Sequence, residues 1–482
     1  MLGRSLPHRT TARPLEAALT APATPALGPA LDALRAALPA ESVTVDADVL
    51  AAYSTDHAPF CPSGTPVALV RARSTDEVAV TLRIAHEHRI PVVPQAARTG
   101  LSGGANAVDG CVLLSVERMT RILDIDVVDQ VARVEAGVVN ADLSRAVAEH
   151  GLFYPPDPSS WESSTLGGNA ATNAGGLCCV KYGVTGDFVR GLTVVLADGS
   201  VLHTGRSTAK GVAGYDLTHL FVGSEGTLGV ITEVTVGLRP AAERPLTAVA
   251  FFPTTSAACA AVPGYMSSGP RPSLLEFMDR PSIDAVSAYR DLGFPDDAGA
   301  VLIAQSDRGE SAPADLRRFA AIAETHGGTT VIAEDAAEAE LLLAGRRLVG
   351  IATERLGAYL ADDVCVPRGR LAEMIDGIAE LSERHGLLVT CVAHAGDGNV
   401  HPNVIFDRDN ADEVRRAHET FGAIMDLGLR LGGTITGEHG VGLLKRDWLA
   451  KELGPAGVRV HQGIKAALDP SGILNPGKVL AF

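Results

Sequence analysis

Two short stretches near the end of the chain carry side chains that could bind a metal ion. His394 and His401 flank the segment Ala-Gly-Asp-Gly-Asn-Val, and Glu438 and His439 follow a second glycine further along the chain. Neutral imidazoles and a carboxylate together suit a borderline divalent cation such as zinc or manganese. The pattern therefore predicts a site in which His394, His401 and Glu438 are ligands, with the imidazole of His439 beside them.

Each stretch alone is a weak signal, because a histidine in a glycine-rich turn is more often a surface or core residue than a ligand. The metal site requires the two stretches to meet in space. A long amphipathic helix over residues 407–431 could return the chain to that point. Asp397 is interpreted as a turn former and not as a ligand.

The composition limits the kind of protein that presents these residues. A chain of 482 residues with 46% hydrophobic composition can build two or three domains without a disulfide framework. A formal charge of -16 makes nucleic-acid binding unfavourable. The seven cysteines form no Cys-x-x-Cys pair, so neither disulfides nor an iron-sulfur cluster are predicted. We expect a cytoplasmic protein, at most peripheral at a membrane, since no apolar run has the length of a membrane span.

The first half of the chain begins with a Pro-, Ala-, Thr- and Arg-rich stretch, residues 1–28, which is predicted to be a disordered tail. A strand over 67–70, a helix over 74–89 and a strand over 91–94 then predict a β-α-β unit. Ser74 and Thr75 are candidate caps for that helix. A loop rich in glycine and hydroxyl groups, residues 95–105, follows the second strand.

The loop over residues 95–105 could bring several backbone amides close to a phosphate, and two further glycine-rich segments follow at residues 163–176 and 221–234. None is a Walker loop or the G-x-G-x-x-G fingerprint of dinucleotide-binding folds. The second segment is too regular for a flexible linker, because Asn169, Asn173 and apolar residues are interleaved with its glycines. It is interpreted as a cofactor-contacting loop.

In this order, these segments resemble the FAD-binding domain of the vanillyl-alcohol oxidase and p-cresol methylhydroxylase superfamily. The branch of FAD-linked D-lactate dehydrogenases and glycolate oxidase catalytic subunits is the most similar. The resemblance implies an α+β protein with a two-subdomain FAD-binding domain of the p-cresol methylhydroxylase type over 29–240. It also implies an α+β cap domain over 241–430 and a C-terminal segment over 431–482 that completes the active site and the FAD domain.

The resemblance further implies non-covalent FAD, since no histidine occupies the first loop. Ala96 and Arg98 stand where relatives often have glycine, so Arg98 either adds charge to the diphosphate or points outward. The implied FAD-binding residues are Pro94, Ala96, Ala97, Arg98, Thr99, Gly100, Leu101, Ser102, Gly103, Pro156, Asp157, Ser163, Thr165, Gly168, Asn169, Thr172, Asn173, Gly175, Gly176, Glu225, Gly226, Gly229, Ile231, Asn475 and Lys478.

From residue 247 onward, alternating strands and helices predict an antiparallel sheet with helices on one face. On a helix over 337–353, Arg346 would clamp a substrate carboxylate by resemblance, although a lone helical arginine is usually solvated. D-2-hydroxyglutarate dehydrogenases, a similar family, have a lysine for a second carboxylate where Ala361 stands here. A dicarboxylate substrate is therefore disfavoured.

Together these residues predict oxidation of a D-2-hydroxy acid, D-lactate or glycolate, to the 2-oxo acid with hydride transfer to FAD. The metal would acidify the substrate hydroxyl, Asn403 would help hold the substrate, and His439 would take the proton, since imidazole titrates near neutral pH. Electrons would leave to oxygen, a quinone, a cytochrome or a separate iron-sulfur subunit, and a homodimer is conceivable. The alternatives are a D-2-hydroxyglutarate dehydrogenase, a transferase of the alkyl-dihydroxyacetone-phosphate synthase type, or a non-catalytic electron-transfer flavoprotein.

Overall fold

The computed structural model describes residues 27–58, 60–208 and 210–480. The predicted tail, residues 1–28, lies outside this range except for Leu27 and Gly28, which open the first helix. Across the described ranges, no helix combines the length and the apolar character that crossing a membrane would require.

The first half of the chain contains eight helices and eleven strands in the described residues. The helices are α1 (Leu27–Ala37), α2 (Ala47–Ala52), α3 (Thr75–His88), α4 (Asn140–Ala148), α5 (Leu166–Thr172), α6 (Cys179–Tyr182), α7 (Thr185–Phe188) and α8 (Thr218–Phe221). The strands are β1 (Val43–Thr44), β2 (Ala68–Arg71), β3 (Val92–Gln95), β4 (Val112–Ser115), β5 (Ile122–Asp126), β6 (Val131–Glu135), β7 (Leu152–Phe153), β8 (Val189–Val195), β9 (Val201–Gly205), β10 (Val230–Gly237) and β11 (Arg239–Pro240).

The β-α-β unit forms as the sequence predicts. The Ser74 side chain caps α3 by accepting a hydrogen bond from the Glu77 N–H. β2 and β3 pair in parallel with β4, in the four-stranded order β1-β2-β4-β3. The 96–105 loop therefore leaves the carboxyl end of a parallel strand, which is the edge where open sheets bind ligands.

A five-stranded antiparallel sheet, ordered β5-β6-β10-β8-β9, forms the second layer of this half. Part of the 163–176 segment, predicted as a loop, is helix α5 packed against this sheet. Its small residues are poor helix formers, but a Cβ on Gly167 would lie 2.5 Å from the Ala136 Cβ. Close packing therefore overrides local propensity at α5.

The second half contains eight strands and seven helices in the described residues. The strands are β12 (Leu246–Phe252), β13 (Leu274–Asp279), β14 (Ala300–Ser306), β15 (Thr329–Ile332), β16 (Ala358–Ala361), β17 (Val364–Cys365), β18 (Val389–His394) and β19 (Asn399–Phe406). The helices are α9 (Thr255–Ser267), α10 (Arg280–Tyr289), α11 (Ala312–Thr325), α12 (Ala336–Glu354), α13 (Leu371–His385), α14 (Ala411–Arg430) and α15 (Arg446–Leu468), the last interrupted at Gly454. Short 3₁₀ turns lie at Ala40–Ser42, Gly309–Ser311 and Arg368–Arg370.

These strands form one antiparallel sheet ordered β15-β12-β14-β13-β18-β19-β16, with β17 also on β19. The prediction that helices cover one face is wrong. α9, α11, α13 and α14 pack on one face, whereas α10 and α12 cover the other. Along β12, Ala248 and Ala250 face the first layer and Val249 faces the second. The physical reason is that β13 and β14 are buried throughout, which requires a cover on both faces.

The last part of the chain contacts both halves. Apart from Ile473 and Leu474 near the end of the chain, the core of the first half extends to Leu238, and the cores of the second half begin at Ala248, on the other side of the predicted boundary at residue 240. Ile435 packs in the second half, whereas Leu474 forms a parallel bridge with Val92 of β3 in the first. The segment after α14 is therefore held against the FAD-loop side of the molecule.

Candidate active site

The hairpin of β18 and β19 places two of the predicted metal ligands on one face of the eight-stranded sheet. Its register pairs His394 with Asn399 and Val392 with His401. Because side chains alternate along a strand, His394 and His401 point to the same face. Their ring centroids lie 4.8 Å apart.

Glu438 joins this pair from the turn that follows α14. Its Oε1 lies 3.2 Å from His394 Nε2 and 3.4 Å from His401 Nε2. One ligand atom from each of the three residues lies within 4.8 Å of the others. Two imidazole nitrogens and a carboxylate oxygen at this spacing are a donor set that fits zinc or a similar divalent cation.

The electrostatics of the three residues also suit a cation. Burial, reinforced by His394, lowers the pKa of His401 to about 3, so this imidazole is neutral. Burial opposes ionisation of Glu438, yet His394 and His401 lower its pKa to about 2. Burial also disfavours the charged form of His394, but Glu276 and Glu438 raise its pKa well above the usual value. Binding of a cation here would displace that proton, as metal binding to histidine generally does.

Glu276 on β13 connects His394 to Arg346 on α12. Its Oε1 lies 2.8 Å from His394 Nδ1, and its Oε2 accepts a 2.8 Å hydrogen bond from Arg346 Nε. Glu276 is fully buried. A carboxylate at Nδ1 favours the tautomer that leaves Nε2 for a metal. The terminal nitrogens of Arg346 have no hydrogen-bond acceptor within the described chain, so the guanidinium can still receive another carboxylate.

Asn403 lies on the same face of β19, two positions beyond His401. Its Nδ2 lies 3.4 Å from Thr390 Oγ1. On the neighbouring strand β16, Ala361 is paired with Asn403. Ala361, which was compared above with a lysine of D-2-hydroxyglutarate dehydrogenases, is therefore adjacent to the predicted substrate residue Asn403. Its side chain is only a methyl group.

His439 lies beside the predicted metal ligands and also lines a cavity. Its ring stacks on His401 with centroids 5.1 Å apart, and its Nε2 lies 4.0 Å from Glu438 Oε1. Ser102 of the first glycine-rich loop donates a hydrogen bond to the His439 carbonyl at 3.2 Å. Of the residues predicted to handle metal or substrate, His439 and Glu438 line the cavity.

The cavity, of about 420 Å³, lies between the three glycine-rich segments. Predicted FAD-binding residues that line it are Pro94, Ala96, Ala97, Arg98, Thr99, Gly100, Leu101, Ser102, Thr165, Gly168, Asn169, Thr172, Gly175, Glu225, Gly226, Gly229 and Ile231. The backbone N–H groups of residues 98–102 donate no hydrogen bond to any described residue, and the buried Asn169 Nδ2 also lacks an acceptor there. A row of free donors along a loop fits a diphosphate.

Arg98 turns partly away from this row of donors. Its guanidinium lies 3.8 Å from the centre of the Tyr53 ring and 3.6 Å from the Glu117 carboxylate. Its backbone is left-handed, with φ of 58°. Glycine adopts such a backbone without strain, whereas arginine does so at an energetic cost.

Eight predicted FAD-binding residues do not line the cavity: Gly103, Pro156, Asp157, Ser163, Asn173, Gly176, Asn475 and Lys478. Several of them position the lining segments. Asn173 ends α5 in a left-handed conformation, and Asn475 Nδ2 donates to the carbonyls of Gly104 and Glu225. Lys478 Nζ donates to the Asn106 carbonyl at 2.6 Å. Such residues support a binding loop from behind, which sequence similarity does not distinguish from direct contact.

Glu276 was not predicted as a site residue, although a lone glutamate in the apolar run Leu-Leu-Glu-Phe-Met is a signal for a buried functional carboxylate. Asp363 was not predicted as a site residue either. Its Oδ2 accepts from the backbone N–H groups of Gly437, Glu438 and His439. Other cavity residues that were not individually predicted to bind FAD, some of them within the predicted loops, are Asp56, His57, Gln95, Gly104, Ala105, Val116, Pro158, Ser159, Ser160, Gly167, Ala171, Ala174 and Val230.

Comparison with protein families agrees with this arrangement. Residues 66–205 match the model of an FAD binding domain, and residues 241–479 match the C-terminal domain of FAD linked oxidases. The chain is 42% identical to glycolate oxidase subunit GlcD of Bacillus subtilis over 89% of its own length and 92% of that protein. The chain is a member of the FAD-linked oxidase family. It is thus an FAD-linked oxidoreductase.

This FAD-linked oxidase is also similar to a D-lactate dehydrogenase and to two groups of solved structures. A D-lactate dehydrogenase of Anaerostipes hadrus is 35% identical over 89% of this chain and 92% of that protein. Among solved structures, p-cresol methylhydroxylase superposes with a TM-score of 0.78 at 20% identity, covering 94% of this chain and 96% of the other. Alkyldihydroxyacetonephosphate synthase gives 0.71 at 18% identity, covering 93% and 84%. At these identities the structural matches show the shared fold alone, so the FAD-binding fold of the p-cresol methylhydroxylase type is confirmed.

Proposed function

We propose that this FAD-linked oxidase oxidises a D-2-hydroxy acid of the size of D-lactate or glycolate to the 2-oxo acid, with metal assistance and hydride transfer to FAD. The observation that carries the proposal is the cluster of His394, His401 and Glu438 beside His439 at the cavity. The names of the relatives, glycolate oxidase subunit and D-lactate dehydrogenase, support the same substrate class.

The cofactors and the chain have separate tasks in this proposal. When bound, FAD supplies a two-electron acceptor and the divalent metal supplies a Lewis acid. His394, His401 and Glu438 hold the metal. Residues 98–102 and Asn169 hold the FAD diphosphate through their free donors. In this proposal the FAD-binding domain ends at residue 240, and the cap domain ends at residue 430.

The substrate is oriented by Arg346, whose planar guanidinium can bind a carboxylate through its terminal nitrogens. Glu276 holds Arg346 through Nε and also contacts His394. The substrate carboxylate bound by Arg346 is therefore kept at a fixed distance from the metal ligands. His439 takes the hydroxyl proton at Nε2, the nitrogen that faces Glu438. Asn403 lies close enough along β19 to hold the substrate beside His401.

A substrate with a single carboxylate is favoured over D-2-hydroxyglutarate. Ala361, next to Asn403, offers a second carboxylate neither charge nor a hydrogen-bond donor from its side chain. We expect oxygen, a quinone, a cytochrome or a separate iron-sulfur subunit to reoxidise the flavin.

Anaerobic stopped-flow mixing of the FAD-loaded protein with D-lactate, glycolate and D-2-hydroxyglutarate tests the substrate class. We expect D-lactate or glycolate to reduce the flavin fastest, with L-lactate as the stereochemical control. Failure of both D-lactate and glycolate to reduce the flavin would reject the proposal. A chelated protein that remains fully active without metal would reject metal assistance, and restoration of activity by zinc or manganese would support it.

A further inference from the structure

The carboxylate of Asp363 has two oxygens in different surroundings. Oδ2 accepts hydrogen bonds from the Thr436 hydroxyl at 2.7 Å and from the N–H groups of Gly437, Glu438 and His439 at 3.0, 3.0 and 2.8 Å. Oδ1 is buried and has no hydrogen-bond partner among the described residues. A buried carboxylate oxygen without a hydrogen-bond donor lowers the stability of the folded protein. We therefore expect a donor to approach Oδ1 in the working enzyme.

Two imidazole rings lie beside the Asp363 carboxylate. His401 Nδ1 lies 3.8 Å from Oδ1 and is itself buried without a partner in the described part of the chain. His439 Nδ1 is in the same condition. One oxygen of Asp363 and one nitrogen of each ring lie within 4.8 Å of one another.

The two rings have the same orientation. They stack at an interplanar angle of 20°. The Nε2 atoms of both face Glu438 Oε1, at 3.4 Å for His401 and 4.0 Å for His439. Nδ1 is the ring nitrogen nearest the backbone, and the backbone N–H of His439 already donates to Asp363. Both rings therefore extend from the Asp363 side toward the Glu438 side.

We propose that Asp363 is a positioning residue whose Oδ1 accepts the Nδ1–H groups of both His401 and His439. One carboxylate would then set the tautomer of both rings, which leaves the His401 Nε2 lone pair for the metal and the His439 Nε2 lone pair for the substrate proton. The inference rests on the proposed function for the role of His439, whereas its claim about His401 concerns metal affinity alone.

The second carboxylate oxygen makes this arrangement stable. Four donors hold Oδ2, so Oδ1 cannot rotate away from the rings without breaking the turn that carries Glu438 and His439. Lys445 Nζ lies 3.7 Å from Oδ2 and donates to the Asp363 carbonyl, which keeps a positive charge beside the buried carboxylate. Glu276 provides His394 with the equivalent support, so each imidazole of the site has a carboxylate at Nδ1.

Asp363→Asn separates the two tasks of this carboxylate. The amide oxygen can replace Oδ2, because the backbone N–H groups there require an acceptor. The amide NH₂ then takes the place of Oδ1 and faces the rings as a donor, which favours the opposite tautomer of both. In a catalytic Asp-His pair of another enzyme class, this change alone lowers turnover about 10⁴-fold.

For Asp363→Asn we expect zinc affinity, measured by chelator competition, to fall about 10- to 100-fold. At saturating zinc and FAD, the limiting rate of flavin reduction should fall at least about 100-fold while KM changes little, because proton removal and not substrate binding is affected. The solvent isotope effect on flavin reduction should increase. Loss of turn geometry alone would not change this isotope effect.

Two control variants accompany this measurement. Asp362→Asn removes the neighbouring buried carboxylate, which faces Lys445 at 3.3 Å, and should leave zinc affinity within about threefold of wild type. Thr436→Val removes one hydrogen bond to Oδ2 and the acceptor of the Gly440 N–H, so it disturbs the turn while the Asp363 carboxylate is kept. If Thr436→Val reproduces the zinc and isotope effects of Asp363→Asn, Asp363 acts only on the turn and the proposal is wrong.

Other outcomes are also decisive. Unchanged zinc affinity and an unchanged isotope effect in a folded Asp363→Asn protein overturn the proposal. A ratio of two zinc ions per wild-type chain also overturns it, because Oδ1 would then be a metal ligand.

If Asp363→Asn does not fold, ¹⁵N-histidine spectra of the zinc-loaded wild type decide the question. The signal lost in His439→Asn should show protonation at Nδ1, and protonation at Nε2 alone overturns the proposal. A wild type that no hydroxy acid reduces rejects the proposed function, yet the zinc-affinity test of Asp363 remains valid.

Discussion

The cavity between the glycine-rich segments, which is proposed to hold FAD, and the histidine and carboxylate residues beside it are built on opposite principles. The cavity consists largely of backbone donors and small side chains contributed by three loops that are each continuous in sequence. The neighbouring site consists of charged or titratable side chains from β13, β18, β19, α12 and the turn after α14. A cofactor site made of backbone donors tolerates side-chain changes that leave the backbone conformation unaltered. A catalytic site of the second kind depends on individual atoms and on the partners that orient them.

His439→Asn should produce the largest effect, because it removes the proton acceptor and leaves the loops intact. We expect flavin reduction by D-lactate or glycolate to slow about 10³-fold while bound FAD is retained. Anaerobic stopped-flow absorbance measures the rate, and the flavin spectrum measures occupancy. His418→Asn, an exposed histidine on α14, is the control and should behave as wild type. Normal flavin reduction in His439→Asn would remove this residue from the mechanism.

Arg346→Met should affect substrate binding more than the chemical step. Loss of the guanidinium leaves the substrate carboxylate without its partner and Glu276 without its 2.8 Å hydrogen bond. We expect kcat/KM to fall about 10²-fold, mostly through KM. Arg347→Met changes the adjacent exposed arginine, which pairs with Glu340 on the surface, and should have little effect. Equal kinetics for the two variants would contradict the carboxylate clamp.

Gly175→Ala tests the contact between the two regions. A Cβ at this position of the FAD segment would lie 2.3 Å from Glu438 Oε2, so the carboxylate must move. Since a misplacement of about 1 Å can cost 10²-fold in rate, we expect a 10- to 100-fold loss of flavin reduction together with weaker metal binding. Gly350→Ala on α12, where an added Cβ meets nothing within 4 Å, is the control. If Gly175→Ala loses FAD but binds metal as the wild type does, the added Cβ does not displace Glu438, and the expected coupling between the two regions is absent.

Asp279→Asn should change stability without affecting either site. Burial raises the pKa of Asp279 to about 7, so its neutral form is favoured in the folded protein. The carboxylate is protonated in both states below about pH 4, and from there to pH 7 ionisation increasingly favours the unfolded chain. Asparagine can still cap α10 through the Ser282 N–H but carries no charge.

The stability advantage of Asp279→Asn over wild type should therefore grow by about 2–3 kcal/mol between pH 5 and pH 8 in urea unfolding. Asp335→Asn, which replaces an exposed cap of α12, should show a much smaller pH dependence. A constant difference for Asp279→Asn across this pH range would show that burial does not perturb this carboxyl group.

Sequence alone determined the features that depend on neighbouring residues. The β-α-β unit, the glycine-rich segments and the placing of His394 and His401 on either side of one glycine-rich turn follow from local patterns of apolar residues, glycines and turns. The similarity of those segments to known flavoproteins also indicated FAD before any contact was known. Of the chemistry-bearing residues, those in a distinctive local context, such as Glu438 and His439 between glycines, were recognisable in this way.

Tertiary structure alone decided which distant residues support the site. Glu276 lies far from His394 and Arg346 in the chain, and only the pairing of β13 with β18 brings its carboxylate between them. Asp363 likewise meets His401 and His439 because β17 joins β19 and the turn after α14 folds back onto it. The layer of α10 and α12 was missed for the same reason. Burial and charge compensation are properties of the packed chain, and no local pattern encodes which partner will satisfy a buried carboxylate.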